Sequence, residues 1–282
     1  MKNIVILYHN YCPDGFGAAW AAWKRFGSRA DYIGVNYAEP LPKGLKGKEV
    51  YTLDFCYDDD NFNKLLKIAK KLVVLDHHIS RKEAIMCAHD FRFELEHSGS
   101  VIAWKYFHPG KRIPRAILHI EDQDLWRFRW PGTREMGAIL STYPFEFKAR
   151  DEFIKNFEKA SLRKQYIADG AAILRYQAAV IKKTIAVASL VELAGHTVYA
   201  VNSFILTSEI GGELANKKGP FGIVWSERQG RVVVSLRSRS GFDVSRIAMK
   251  YGGGGHKAAA GFSFLVNEQF PWSRPKRRRK PL

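Results

Sequence analysis

Apolar and polar positions alternate along the first ninety residues in a way that separates strands from helices. Residues 72–75 (Leu-Val-Val-Leu) form a continuous apolar run, the pattern of a strand buried on both faces of a parallel sheet, and Asp76, His77 and His78 follow at once. Two other apolar runs end similarly. Residues 4–8 lead to His9 and then Asp14, and residues 47–53 lead to Asp54. A further strand is expected at 31–35, with helices after residue 15 and over 61–71. This alternation predicts right-handed crossovers and a parallel sheet. In such sheets ligands bind beyond the carboxyl ends of the strands, so His9, Asp14, Asp54, Asp76, His77 and His78 converge on one edge. Polar turn residues are the plain alternative for each alone. Together they suit a hard or borderline divalent ion, Mn or Mg.

Past residue 78 the pattern turns helical. Ser98, Gly99 and Ser100 precede a helix at 101–107, where free amides could hold an anion or simply cap the helix. A second helix at 113–120 runs into Glu121, Asp122, Gln123 and Asp124. Carboxylates so close need a cation, an arginine or a shared proton, and Asp122 and Asp124 compete as a further ligand. Residues 145–189 read as a long charged helical connector. From residue 191 strands return (198–201, 221–225, 231–236, 262–266), with helices at 208–216 and 244–250. Arg237 ends one strand, and Gly252 to Gly255 with His256 and Lys257 form a run whose amides could wrap a phosphate oxygen.

Length and charge add two constraints. A chain of 282 residues predicts two domains. Its net charge is +17, and six of the positive charges crowd into the last nine residues, which suggests an anionic partner. The cysteines, Cys12, Cys56 and Cys87, are scattered and odd in number, which argues against a disulfide scaffold or zinc knuckle. With no apolar run long enough for a bilayer and an opening segment that turns polar too soon for a signal peptide, a cytoplasmic location is the expectation.

These residues resemble the DHH phosphoesterase superfamily with its C-terminal DHHA1 domain, a group of RecJ-type exonucleases, nanoRNases, cyclic-dinucleotide phosphodiesterases and exopolyphosphatases. The segments that carry the likeness are His9 to Gly15, Asp54, Asp76-His77-His78, Asp122/Asp124 and the GGGGHKAAAGF run. The resemblance implies an α/β protein with a Rossmann-like parallel-sheet DHH catalytic domain (1–145), a helical connector (146–190), a smaller α/β DHHA1 substrate-binding domain (191–267) and a basic disordered tail (268–282). It implies two divalent metal ions, Mn preferred and Mg possible, held by His9, Asp14, Asp54, His77 and Asp122 or Asp124, with Asp54 bridging.

Asp76 then orients a histidine and His78 faces the substrate phosphate. Arg237, Gly253, Gly254, Gly255, His256 and Ser98 complete the substrate-binding set. The implied activity is hydrolysis of short or single-stranded oligonucleotides to mononucleotides by a metal-activated water. Hydrolysis of cyclic dinucleotides or polyphosphate, and a weakly catalytic nucleic-acid-binding role, are the alternatives. No membrane partner is expected, and oligomerisation is left open. One departure stands out: the first motif commonly has a further aspartate where this chain has Tyr11 and Cys12. A packed, inert Cys12 is the reading taken, because sulfur is a poor partner for Mn or Mg.

Overall fold

The computed structural model describes residues 2–36, 39–239 and 241–273. The chain divides into two compact units, 1–174 and 175–282.

In the first unit β1 (Ile4–His9) leads into α1 (Pro13–Phe26), followed by β2 (Ala30–Val35), β3 (Glu49–Leu53), α2 (Asp59–Ile68), β4 (Lys71–Asp76), α3 (Lys82–Met86) and β5 (Asp90–Phe93). All five strands are parallel, in the order β2-β1-β3-β4-β5. β4 shows why its sequence is apolar without alternation. Val73 and Leu75 pack on one face among Trp20, Ile102 and Ile117, while Leu72 and Val74 pack on the other with Phe55, Phe62 and Leu65. Truncating Leu75, which is fully buried, to alanine should cost about 3 kcal/mol. β5 is a short edge strand that the polarity of Asp90 and Arg92 hides from a periodicity reading.

Four helices complete the unit, α4 (Gly99–Phe107), α5 (Arg115–Asp124), α6 (Thr133–Leu140) and α7 (Phe147–Glu158), and a fifth, α8 (Ala160–Ala186), begins in it and continues into the second. The expected connector starts later than the sequence suggests. Phe153, Ile154 and Phe157 of α7 share one helical face and are buried in the first core, with Tyr166 and Ile167 of α8 against it. Gly170 lets α8 pass over the α6 backbone, since a Cβ there would sit 2.0 Å from the Glu135 carbonyl oxygen.

The second unit holds β6 (Ser189–Leu193), β7 (His196–Asn202), α9 (Thr207–Lys217), β8 (Phe221–Arg228), β9 (Arg231–Ser238), α10 (Ser245–Lys250), β10 (Gly254–His256) and β11 (Ala259–Leu265). Its sheet runs β10-β11-β9-β8-β7-β6. Only β7 and β8 pair in parallel, across the α9 crossover. The second unit also extends past the expected boundary at residue 267. Phe270 and Trp272 pack on the core beside Phe264, and Ser273 bridges to Glu192. The rest of the expected tail, residues 274–282, lies outside the described residues. Among the described residues no helix is long and apolar enough to cross a membrane.

Candidate metal centre

Three parallel strands and two helices, α1 and, through Asp124, α5, build the centre. β1 ends at His9, β3 runs into Asp54, β4 ends at Asp76 with His77 and His78 behind it, and α1 carries Asp14 in its first turn. Close approach of α1 to the end of β1 depends on Gly15, where a Cβ would lie 2.4 Å from the His9 carbonyl oxygen. Asp54 adopts φ +62, a conformation rare outside glycine, and holds its carboxylate between two histidines. Its Oδ2 is 3.4 Å from His9 Nδ1 and its Oδ1 is 3.3 Å from His77 Nε2.

Donor atoms fall into two triads, His9/Cys12/Asp54 and Asp14/His77/Asp124, each with its atoms within 4.8 Å of one another. Asp76, His77 and His78 form a further overlapping group with Asp54. Among the described residues Asp14 Oδ2, Asp54 Oδ1, Asp76 Oδ2 and His77 Nε2 are buried without a hydrogen-bond partner. Unpaired buried carboxylate oxygens are costly, and their convergence with imidazole nitrogens fits divalent cations. The charges agree. Burial, then repulsion from Asp14, pushes Asp54 up to about 8. Asp124 is raised to about 8 by burial and by Asp14 and Asp54. Protons stand in there for cations that the donors could take instead.

Neighbouring groups hold the donors in place. Asp14 Oδ1 accepts from the Ser98 hydroxyl at 2.6 Å and the Ser100 amide at 3.1 Å. Asp76 Oδ1 accepts from the His77 amide at 2.7 Å and lies 2.7 Å from His78 Nδ1. Burial opposes a charge on His78, yet this bond and the nearby carboxylates lift it to about 9. Gly99 closes the back of the site, where a Cβ would meet Asp54 Cβ at 2.6 Å and Asp14 Oδ2 at 3.0 Å.

Several expected residues stand elsewhere. Ser98 is fully buried with its hydroxyl spent on Asp14, so it positions a donor and offers nothing to a substrate. Asp122 is not among the clustered donors. Its Oδ1 accepts from the Arg129 amide, and its Oδ2 from the Trp130 amide and the Thr133 hydroxyl, which holds it below the usual carboxylate range against its burial. Both aspartates lie on the last turn of α5 rather than in a loop, and residues two apart on a helix point different ways. Only Asp124 turns to the site. Glu121, unassigned from sequence, accepts from the Ser98 amide and lies 2.9 Å from His97 Nδ1.

In the second unit the glycine run is not a nest of convergent amides. Gly254 to His256 form β10 against β11, Gly252 sits at φ +73, and the Gly253 amide donates to the Ala248 carbonyl. A Cβ on Gly253 would meet the Gly261 carbonyl oxygen at 2.1 Å. The register still unites two expected residues: His256 pairs with Ala259, which pairs with Arg237, so both project from one face of the sheet. Arg237 is steadied by a 2.9 Å bond to the Ser208 hydroxyl on α9.

Fold and site define a two-unit protein whose N-terminal parallel sheet gathers a divalent-metal donor set. Residues 198–271 match the DHHA1 domain model. An uncharacterized protein of Acanthamoeba polyphaga mimivirus is 31% identical, the match covering 92% of this chain and 67% of that protein. A DHH domain described as a member of a family of ribosomal proteins superposes with a TM-score of 0.59 at 13% identity, over 92% of this chain and 82% of that one. A pGpG-specific phosphodiesterase, PggH from Vibrio cholerae, superposes with a TM-score of 0.54 at 14% identity, over 94% of each chain. The chain belongs to the DHH phosphoesterase superfamily.

Proposed function

We propose that this protein hydrolyses phosphodiester bonds in short or single-stranded oligonucleotides, releasing mononucleotides. The observation that carries the reading is the pair of donor triads joined by Asp54, whose two oxygens face a histidine of each. His9 and Asp54 would hold one divalent ion, and Asp14, His77 and Asp124 the other. Two such ions supply an acidified water and offset charge on the phosphoryl oxygens. Manganese suits the oxygen and imidazole donors, with magnesium the harder alternative.

The chain's own residues supply the rest. Asp76 fixes the His78 ring through Nδ1 and favours its charged form, which suits it to face a phosphoryl oxygen as charge develops there. The Ser98 hydroxyl and Ser100 amide hold Asp14 in one rotamer, so the donor set is formed before substrate arrives. Arg237 and His256 would bind a phosphate further along the substrate, setting register rather than breaking bonds.

Nucleotides are favoured over polyphosphate by the aromatics beside the donors. Tyr11, adjacent to Cys12, and Trp126, two residues after Asp124, are 76% and 74% exposed. Exposed rings beside a phosphate site can stack bases and have nothing to offer a base-free chain. Similarity to a pGpG-specific enzyme keeps a dinucleotide-sized substrate as the second reading. Purified protein with Mn should be assayed on dinucleotides, longer oligomers, cyclic dinucleotides and polyphosphate. The expected result is mononucleotides from the linear oligomers, with Asp54→Ala inactive but folded. Turnover of polyphosphate alone would contradict the proposal, and near-normal turnover by Asp54→Ala would remove Asp54 from the chemistry.

A further inference from the structure

We propose that the Cys12 thiolate is a metal ligand, and that it makes the His9/Cys12/Asp54 position selective for a borderline divalent ion of the iron, cobalt or zinc kind. The inference rests on the metal reading above and adds an assignment for sulfur. Cys12 Sγ lies within 4.8 Å of a His9 ring nitrogen and an Asp54 oxygen, which themselves lie that close together. Asp54 is 1% exposed and turns its Oδ2 to the His9 ring at 3.4 Å from Nδ1, which sets a buried carboxylate beside the imidazole at this position.

Local structure aims the sulfur there. Tyr11, at φ +53, turns the chain back after β1, and Cys12 occupies the cap position of α1 in extended backbone without using its side chain to cap the helix. The Cys12 sulfur shares a donor group with the His9 ring and the Asp54 carboxylate, which is not the setting of a thiol packed among apolar side chains. The other cysteines differ. Cys56 is buried, Cys87 donates to the Glu83 carbonyl, and neither joins a donor group among the described residues.

Donor chemistry then separates the two positions. Imidazole, carboxylate and thiolate favour borderline ions, while Asp14, His77 and Asp124 remain a set for a harder ion. On binding, the S–H bond of Cys12 breaks as the sulfur–metal bond forms, and the proton leaves to solvent.

Cobalt(II) titration of the full-length protein tests this directly. A sulfur-to-cobalt charge-transfer band in the near ultraviolet should rise to saturation, persist in a Cys56→Ser/Cys87→Ser variant and vanish in Cys12→Ser. Cobalt uptake without that band, or a band that survives Cys12→Ser, overturns the assignment and leaves the metal centre standing. Failure to take up cobalt overturns the metal reading itself. As a second arm, Cys12→Asp should lower the zinc-over-magnesium affinity ratio, read from melting-temperature shifts, by ~10-fold or more. An unchanged ratio counts against the proposal.

Discussion

The two units solve opposite problems. In the first, the buried Asp14, Asp54 and Asp76 crowd together with the more exposed Asp124, with strained backbone at Tyr11 and Asp54. In the second, Arg237 and His256 share a row of the sheet next to the exposed strand β10, and no metal-type donor group occurs there among the described residues. The first arrangement costs stability until cations neutralise it. The second costs little, because its groups are hydrated or hydrogen-bonded and its glycines lie in a hairpin. On the proposed function the contrast separates chemistry from holding: preorganised charge would serve bond breaking, and an open edge would serve a substrate that must enter and leave.

Gly99 offers the sharpest way to break this contrast. Any side chain there drives into Asp54 and Asp14 at once, and Asp14 is held in place by the Ser98 hydroxyl and the Ser100 amide. Gly99→Val should therefore lower metal affinity by about 100-fold, with hydrolysis falling in step, since displaced supporting groups typically cost 10–100-fold. Isothermal titration with Mn and circular dichroism check it. Normal metal affinity in a folded Gly99→Val protein would show that the donors are not held as described.

What could be seen in advance, and what could not, follows the same division. β4 and the residues at the strand ends were legible, because an unbroken apolar run can be satisfied only between two layers and because loops after parallel strands share one edge. Gly99 and Ser98 were not, since their role rests on contact with residues some 84 positions away, Ser98 with Asp14, which no local pattern encodes. Choosing Asp124 over Asp122 required knowing that α5 extends through both, so that the two point apart. The glycine run misled for a related reason. Glycines ease close approach of any kind, and here they admit the backbone of β11 rather than a ligand.

The stability contrast between the units can be titrated. Asp54 and Asp124 run against the usual carboxylate trend, being raised to about 8 by burial and by neighbouring carboxylates. The folded state therefore binds these protons more tightly than the unfolded chain, whose aspartates titrate near ~4. Stability from them is fully present below pH ~4 and is lost as pH rises towards about 8. Divalent ions replace the missing protons, so the melting-temperature gap between Mn-loaded and chelator-treated protein should widen from pH 5 to pH 8. A rise of several degrees is expected on the scale of a few kcal/mol. Scanning fluorimetry at intermediate pH values measures it, and a gap that stays flat or narrows would mean the carboxylates do not share a cation site.

The smallest expected effect lies in the second unit, where substitution should alter how substrate is held and leave the first unit's chemistry intact. Arg237 is half-buried against Gly211 and tied to Ser208, so its guanidinium is already oriented, while His256 is exposed on the edge strand. Arg237→Ala and His256→Ala should raise KM by about 10-fold, the order of one hydrogen-bonded phosphate contact, with Mn binding unchanged. Some loss of kcat should appear on the shortest substrates, which have few other contacts from which to draw positioning. A dinucleotide should therefore suffer more than a longer oligomer when kcat/KM is compared for each variant. Equal losses on both lengths, or loss of metal in either variant, would tie Arg237 and His256 to the catalytic centre and dissolve the division of labour between the two units.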